Sequence, residues 1–328
     1  MSRSLNRRTV LVLAAATALA TMATACGSSG GDGASDSPSS ASASSAERTV
    51  NTAMGEVKVP GNPKRVVVLD TDSLDSAITL GVVPVGATTV ADGEPFSTYL
   101  PKEKLKDIKP VGLIGEPNLE AIAALKPDLI LSSKVRDEKN YKALSAIAPT
   151  VFTETTGPTW RENFELHAEA LGKKDKVKEI VADYEAHVQE VTKALGGPEK
   201  AKKTTVGFVR FVEGADTRLY LNDTFIGSIF KDLGVGRPKN QDTTGFSLDI
   251  SPEQVDKANA DVIFYSTYGD AKAAKETTIT AGPLWKKLDA VKNGRAFKVD
   301  DNLWMLGIGY TGADQVLDEM EENLTTAR

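Results

Sequence analysis

The chain of 328 residues holds one cysteine and two histidines. A lone thiol can neither close an intrachain disulfide nor build a thiolate zinc site. Two imidazoles offer little to a bare transition-metal site or to histidine-dependent general-base chemistry. Aromatic residues make up only 6% of the chain, and nowhere do Lys and Arg form the dense run of a nucleic-acid footprint. No nucleic-acid partner is expected. Positive side chains number 39 against 45 negative ones, a net charge of −6. What the chain has in quantity is apolar: 41% hydrophobic residues beside 26% charged ones suit a large core, and the length favours two lobes over one.

Arg3, Arg7 and Arg8 precede an uncharged stretch from Thr9 to Ala25, the basic-then-apolar order of a secretory signal. Cys26 follows the small residues Ala23, Thr24 and Ala25. This junction resembles the bacterial lipoprotein signal, with Ala23 where leucine is usual, and the resemblance implies cleavage before Cys26 and lipidation of its thiol. Asn6-Arg7-Arg8-Thr9-Val10-Leu11 also resembles a twin-arginine export signal, so the export route stays open. From Gly27 to Ala46, nine Ser, four Gly and four Ala leave only Asp32, Asp36 and Pro38. Such a segment cannot bury apolar surface; as a flexible tether it reaches roughly 25 Å. Loss of residues 1–25 removes three positive charges and no negative one, leaving −9. Charge alone would not hold so acidic a protein on anionic lipid, whereas a lipid anchor would.

The remainder alternates strands and helices. Arg65–Asp70, Val82–Gly86, Leu129–Leu131 and Thr150–Phe152 read as strands, with helices predicted over Asp72–Leu80, Asn118–Leu125 and Tyr141–Ile147. After a helix from Glu162 to Leu171, a longer one runs from Lys174 to Leu195, with Val177, Ile180, Val181, Tyr184, Val188 and Val191 at three- and four-residue steps. At 1.5 Å per residue it would span about 33 Å, the length of a strut between lobes. A second alternation follows, with strands at Thr205–Phe211, Arg218–Leu221, Val262–Ser266 and Ala296–Val299, and helices at Phe225–Leu233 and Gly309–Leu324. The expected fold is therefore α/β, with two α/β lobes joined by a single long helix and a ligand cleft between them. Its parts are a signal at 1–25, a tether at 26–46, a first lobe at 47–160, a helical linker at 161–197 and a second lobe at 198–328.

Two patterns suggest enzymes. Gly307-Ile308-Gly309-Tyr310-Thr311-Gly312 matches a dinucleotide-binding loop, but only sixteen residues follow, too few for the strand that would supply the ribose-binding acid; a flexible loop into the last helix is expected instead. Asp70 with Asp72 and Asp300 with Asp301 are carboxylate pairs at strand ends that could serve a secreted hydrolase, although turn-forming Asp is commoner there. His167 and His187 read as packing or helix-surface residues.

A further set of motifs lies in order along residues 55 to 325. Gly112-Leu113-Ile114-Gly115-Glu116-Pro117-Asn118-Leu119-Glu120 runs into Ala124-Leu125-Lys126-Pro127-Asp128-Leu129-Ile130. Later come Ser251-Pro252-Glu253-Gln254-Val255, Ala260-Asp261-Val262-Ile263-Phe264 and Pro283-Leu284-Trp285. Together they resemble the solute-binding proteins of ABC importers for iron–siderophore complexes, the group that includes the ferrichrome and cobalamin binders. The resemblance implies a class III periplasmic-binding fold and a non-enzymatic, monomeric, lipid-anchored protein that captures a ferric siderophore of the hydroxamate type and delivers it to a permease. Cobalamin or haem in the same cleft is the alternative ligand. The iron is already coordinated by the siderophore, so no metal site and no intrinsic cofactor are expected.

The same resemblance assigns residues. Arg210 matches an arginine at the end of a second-lobe strand, and a guanidinium fork suits chelate oxygens; its alternative partner is a surface carboxylate such as Glu213. Trp304 matches a pocket tryptophan before the final helix, and Trp160 and Tyr220 are further aromatic candidates, with core packing as the alternative for both. Ile114 stands where the ferrichrome binder has its first-lobe arginine, so either the ligand differs or Lys134 or Arg136 compensates, with solvated surface charge as the alternative for both. Glu120 and Glu253 match the one-per-lobe glutamates that dock on the permease. The long helix implies small lobe motion.

Overall fold

The computed structural model describes residues 47–326 apart from positions 92, 94 and 95; the signal and most of the tether, Cys26 included, lie outside the described residues. The chain opens with an antiparallel hairpin of β1 (Arg48–Thr52) and β2 (Gly55–Val59). Six strands then form the first sheet: β3 (Val66–Val68), β4 (Gly86–Thr89), β5 (Lys109–Leu113), β6 (Glu116–Pro117), β7 (Leu129–Ser133) and β8 (Thr150–Thr153), in the order β6-β5-β4-β3-β7-β8. All pairs are parallel except β5 with β6. The continuous apolar runs of β3 and β7 fit strands covered on both faces. Val82 to Val85 is not the strand expected there. The Val82 N–H bonds Ala77 O and ends the helix Thr71–Thr79, and pairing resumes only with Val85 and β4.

The second sheet holds β9 (Val206–Val212), β10 (Thr217–Tyr220), β11 (Ser247–Ile250), β12 (Val262–Tyr268) and β13 (Ala296–Lys298), in the order β11-β10-β9-β12-β13. β9, β12 and β13 are parallel, while β10 turns back on β9 and pairs with β11. Two α/β lobes result. Between them stand the helix Trp160–Leu171, closed by Gly172 at φ +68°, and the bridging helix Lys174–Ala194. The bridging helix ends at Gly196 and Gly197, whose positive φ values admit no side chain without strain, and Pro198 starts the next helix.

In each sheet the chain leaves a central strand toward one edge and later returns on the other side. The switch falls between β3 and β7 in the first sheet and at β9 and β12 in the second. Ligands in open α/β sheets bind beyond the carboxyl ends of strands at such points. One contiguous core runs from Val66 and Val68 through Trp160, Phe164, Tyr184 and Tyr310 to Phe208, Phe264 and Trp304, so the lobes share packing and are not merely strung together. Separate clusters cover the outer faces of the two sheets. The closing helix Tyr310–Thr326 packs on the bridging helix and on Thr71–Thr79 of the first lobe.

Candidate functional site

Hydrogen bonds join the two lobes, among them one from Thr98 and one from Trp160. The Thr98 N–H donates to Asn302 Oδ1 (2.8 Å), and Trp160 Nε1 donates to Ser228 Oγ (2.9 Å). Each sheet contributes one arginine–aspartate pair at its switch point.

In the first lobe, Asp70 leaves β3 as the N-cap of the helix Thr71–Thr79, accepting the Thr71 N–H at 2.8 Å. Its other oxygen accepts Arg136 Nε at 2.9 Å. The Asp70 carboxylate is buried, whereas the Arg136 side chain is 42% exposed, so the guanidinium is the face presented to solvent. Burial, reinforced by the nearby Asp72 charge, pushes Asp70 up to about 6 against the pull of Arg136. Asp72, likewise raised to about 6 by burial, accepts Asn163 Nδ2 at 3.0 Å. Asp137, also buried, takes Ser132 Oγ at 2.6 Å and Asn140 Nδ2 at 2.9 Å and so fixes the short helix Lys134–Asp137 that carries Arg136. Lys134 turns aside to Glu154 at 3.0 Å.

In the second lobe, Arg210 lies on β9 in register with Ser266 of β12. Its Nε and Nη2 donate to the two oxygens of Asp301 at 2.7 and 2.5 Å, and Nη1 donates to Tyr220 Oη at 3.3 Å. Ser266 Oγ donates to the same carboxylate at 2.6 Å. The partner is thus Asp301 and not Glu213, which instead accepts the Asp270 N–H. A guanidinium has five N–H donors, so both terminal nitrogens keep one for a ligand oxygen. The Tyr268 ring stands 5.0 Å from Arg210 Cζ.

Three expected ligand contacts have no face to offer. Trp304 is fully buried, stacked on Phe208 and Phe264 with centroids 5.7 and 4.5 Å away, and its Nε1 donates to Glu319 Oε2 at 2.6 Å. Trp160 packs edge-on against Tyr184, Phe225 and Tyr310. Tyr220 is buried between Phe208 and Phe246, with its hydroxyl on Arg210. All three pack in the core, the alternative given for Trp160 and Tyr220, and Trp304 closes the short helix Asp301–Trp304. Among the described residues the most exposed aromatics are Phe246 at 54% and Tyr268 at 39%, neither of them among the expected contacts. The signal for Tyr268 is the period-two run Phe264, Ser266, Tyr268, which carries β12 two residues past its expected end.

The carboxylates offered to a hydrolase are engaged in holding structure: Asp70 and Asp301 on arginines, Asp72 on Asn163, and Asp300 as the N-cap of Asp301–Trp304. The glycine motif is, as expected, a loop into the last helix, and it is closely packed. A Cβ on Gly307, Gly309 or Gly312 would collide with Leu303 O, the Asp75 carboxylate or Gly307 O. His167 is buried with Nδ1 3.0 Å from Ser76 Oγ, and His187 bridges Asp314 and Asp318. Among the described residues no group of three or more His, Cys, Asp or Glu could hold a metal ion, and no helix is long and apolar enough to cross a membrane.

Glu120 and Glu253 are both exposed. Glu120 opens the helix after the β5–β6 hairpin, and Glu253 follows β11, so each stands beyond an outermost strand of its sheet.

Comparison with known proteins bears on the whole folded part. The periplasmic binding protein family model matches residues 66–303. The chain is 44% identical over 288 residues to the Probable siderophore-binding lipoprotein YfiY of Bacillus subtilis, covering 84% of this chain and 86% of that one. It is 34% identical to the Fe(3+)-citrate-binding protein YfmC of the same organism, covering 78% and 79%. Staphylococcus aureus SirA, solved in complex with staphyloferrin B, superposes with a TM-score of 0.75 at 36% identity over 84% of this chain and 98% of that one. With two lobes, a bridging helix and a matched span from β3 to the helix that carries Asp301, the chain belongs to the periplasmic binding protein family.

Proposed function

We propose that this protein captures a ferric siderophore outside the cytoplasm and hands it to an ABC importer. Cys26 carries the lipid that anchors it to the outer face of the membrane, and the Ser/Gly/Ala segment is its tether. The siderophore keeps the iron; the protein grips the organic shell with Arg210, Arg136, Tyr268 and Phe246, and Glu120 and Glu253 dock on the permease. The folded part divides into a first lobe at 47–160, a helical linker at 161–197 and a second lobe at 198–328, and it acts as a monomer.

One observation supports the hydroxamate class above others. Each cationic candidate already has a carboxylate partner: Arg210 has Asp301, Arg136 has Asp70 and Lys134 has Glu154. Such a site carries no excess positive charge and suits a neutral or cationic ferric trihydroxamate better than a polyanionic chelate. Ferric citrate is the second reading, favoured by the name of the 34% identical relative. Calorimetric titration with a ferric trihydroxamate, ferric citrate, haem and cobalamin separates these. Tight binding of the trihydroxamate is expected, and preference for ferric citrate would overturn the class while leaving siderophore capture intact. Binding of none of the four would refute capture itself.

A further inference from the structure

The structure assigns a ligand to the glycine motif at residues 307–312: the protein's own Asp75. We infer that this carboxylate is a positioning group that holds the two lobes at the spacing needed to grip a chelate. The proposal rests on the reading that ligand is held between the lobes.

Asp75 sits one turn beyond the acidic pair Asp70 and Asp72 on the first-lobe helix Thr71–Thr79, and it is completely buried. Four donors converge on its carboxylate. Oδ1 takes Thr79 Oγ1 at 3.1 Å and the Thr311 N–H at 3.3 Å; Oδ2 takes Tyr99 Oη at 3.0 Å and the Gly312 N–H at 3.0 Å. The two backbone donors are at the N-terminus of the closing helix Tyr310–Thr326, where unpaired N–H groups and the helix dipole favour an anion. Gly309 lacks a side chain at the spot where the carboxylate lies, and Gly307 and Gly312 are pressed together behind it. A motif that elsewhere admits pyrophosphate here admits a side chain of the other lobe.

Further bonds widen the contact. Thr79 Oγ1 and Thr311 Oγ1 are 2.7 Å apart, and Gln315 Nε2 donates to Tyr99 O at 3.1 Å. The neighbouring Thr98 N–H reaches Asn302, next to the Asp301 that grips Arg210. The latch therefore links the Asp70 helix of the first lobe to the segment that carries the second-lobe pair, with little besides short loops between. An equilibrium that left only one molecule in ten at the correct spacing would lower apparent affinity about tenfold.

The test pairs solution scattering with titration of a ferric trihydroxamate, on the full chain and its Asp75→Ala, Asp75→Asn and Gly309→Ala variants. In the parent protein the radius of gyration should change little on binding. Asp75→Ala should enlarge the ligand-free particle, make binding compact it, and weaken affinity about tenfold. Asp75→Asn, which keeps the shape, should fall between. Should Asp75→Ala not fold, Gly309→Ala, which pushes the carboxylate aside with its charge intact, should show the same expansion and loss. Folded variants with parental scattering, whether or not affinity falls, would overturn the latch. A parent protein that binds no chelate would instead refute the functional reading.

Discussion

Arg210 and Asp301, ninety-one residues apart, meet fork to fork through two hydrogen bonds of 2.7 and 2.5 Å, and Ser266 holds the same carboxylate. Removing Asp301 leaves a nearly buried guanidinium unpaired. Asp301→Ala should cost about 3–5 kcal/mol of stability by denaturant unfolding. Arg210→Lys keeps a charge opposite Asp301 but not the planar fork, so affinity for a ferric trihydroxamate should drop about tenfold or more while the fold survives. Unchanged affinity in Arg210→Lys would remove this residue from the site.

Trp304 is predicted to act on stability first. Emptying its slot between Phe208 and Phe264 and freeing Glu319 should cost about 3–5 kcal/mol in Trp304→Ala, as for other large core deletions. All three tryptophans of the chain, Trp160, Trp285 and Trp304, are at most 3% exposed. Acrylamide should therefore quench their emission weakly in the native state and strongly after unfolding; strong native quenching would contradict the packing described.

Docking and capture should separate. Glu120→Ala combined with Glu253→Ala changes two exposed side chains beyond the outermost strands of the two sheets. Cellular uptake should be abolished, and the purified double variant should bind chelate as the parent does. Loss of affinity in the isolated protein would contradict the docking role.

Acid should expose His167. Burial lowers it to about 4 from an ordinary 6.5, so the folded state holds it neutral. Its contribution is fully present above pH 6.5 and is lost as pH falls toward 4, up to about 3 kcal/mol at 1.36 kcal/mol per pH unit. Asp70, Asp72 and Asp75, each raised to about 6, act in the opposite sense: their contribution is present below pH 3.8 and is lost as pH rises through 6. The difference in unfolding free energy between the parent protein and His167→Gln isolates the histidine. That difference should shrink between pH 6.5 and 4; a constant difference would contradict the assignment.

Much of this molecule is legible in the chain, for a physical reason. Val66–Val68, Leu129–Leu131 and Val206–Val212 are apolar runs flanked by turns, and Val177 to Val191 keeps a helical period, so local pattern and tertiary place agree. β5 and β11 escaped because Lys109-Pro110 and Ser247–Ile250 lie toward sheet margins, where one face need not be apolar. Site residues were harder. An indole before the last helix looks the same in sequence whether it lines a pocket or, like Trp304, stacks beneath one; only its neighbours Phe208, Phe264 and Glu319 decide. Asp301 and Asp75 take their meaning from partners 91 and more than 200 residues away, which no local pattern records.

On the proposed function, iron stays inside its organic wrapping and never touches the protein. Calorimetry with the ferric and gallium(III) complexes of one trihydroxamate, set beside the bare ferric ion, decides this. Equal affinities for the two complexes and none for bare iron are predicted. Retention of bare iron through dialysis at one ion per protein, or a complex that binds only with iron inside, would contradict the account.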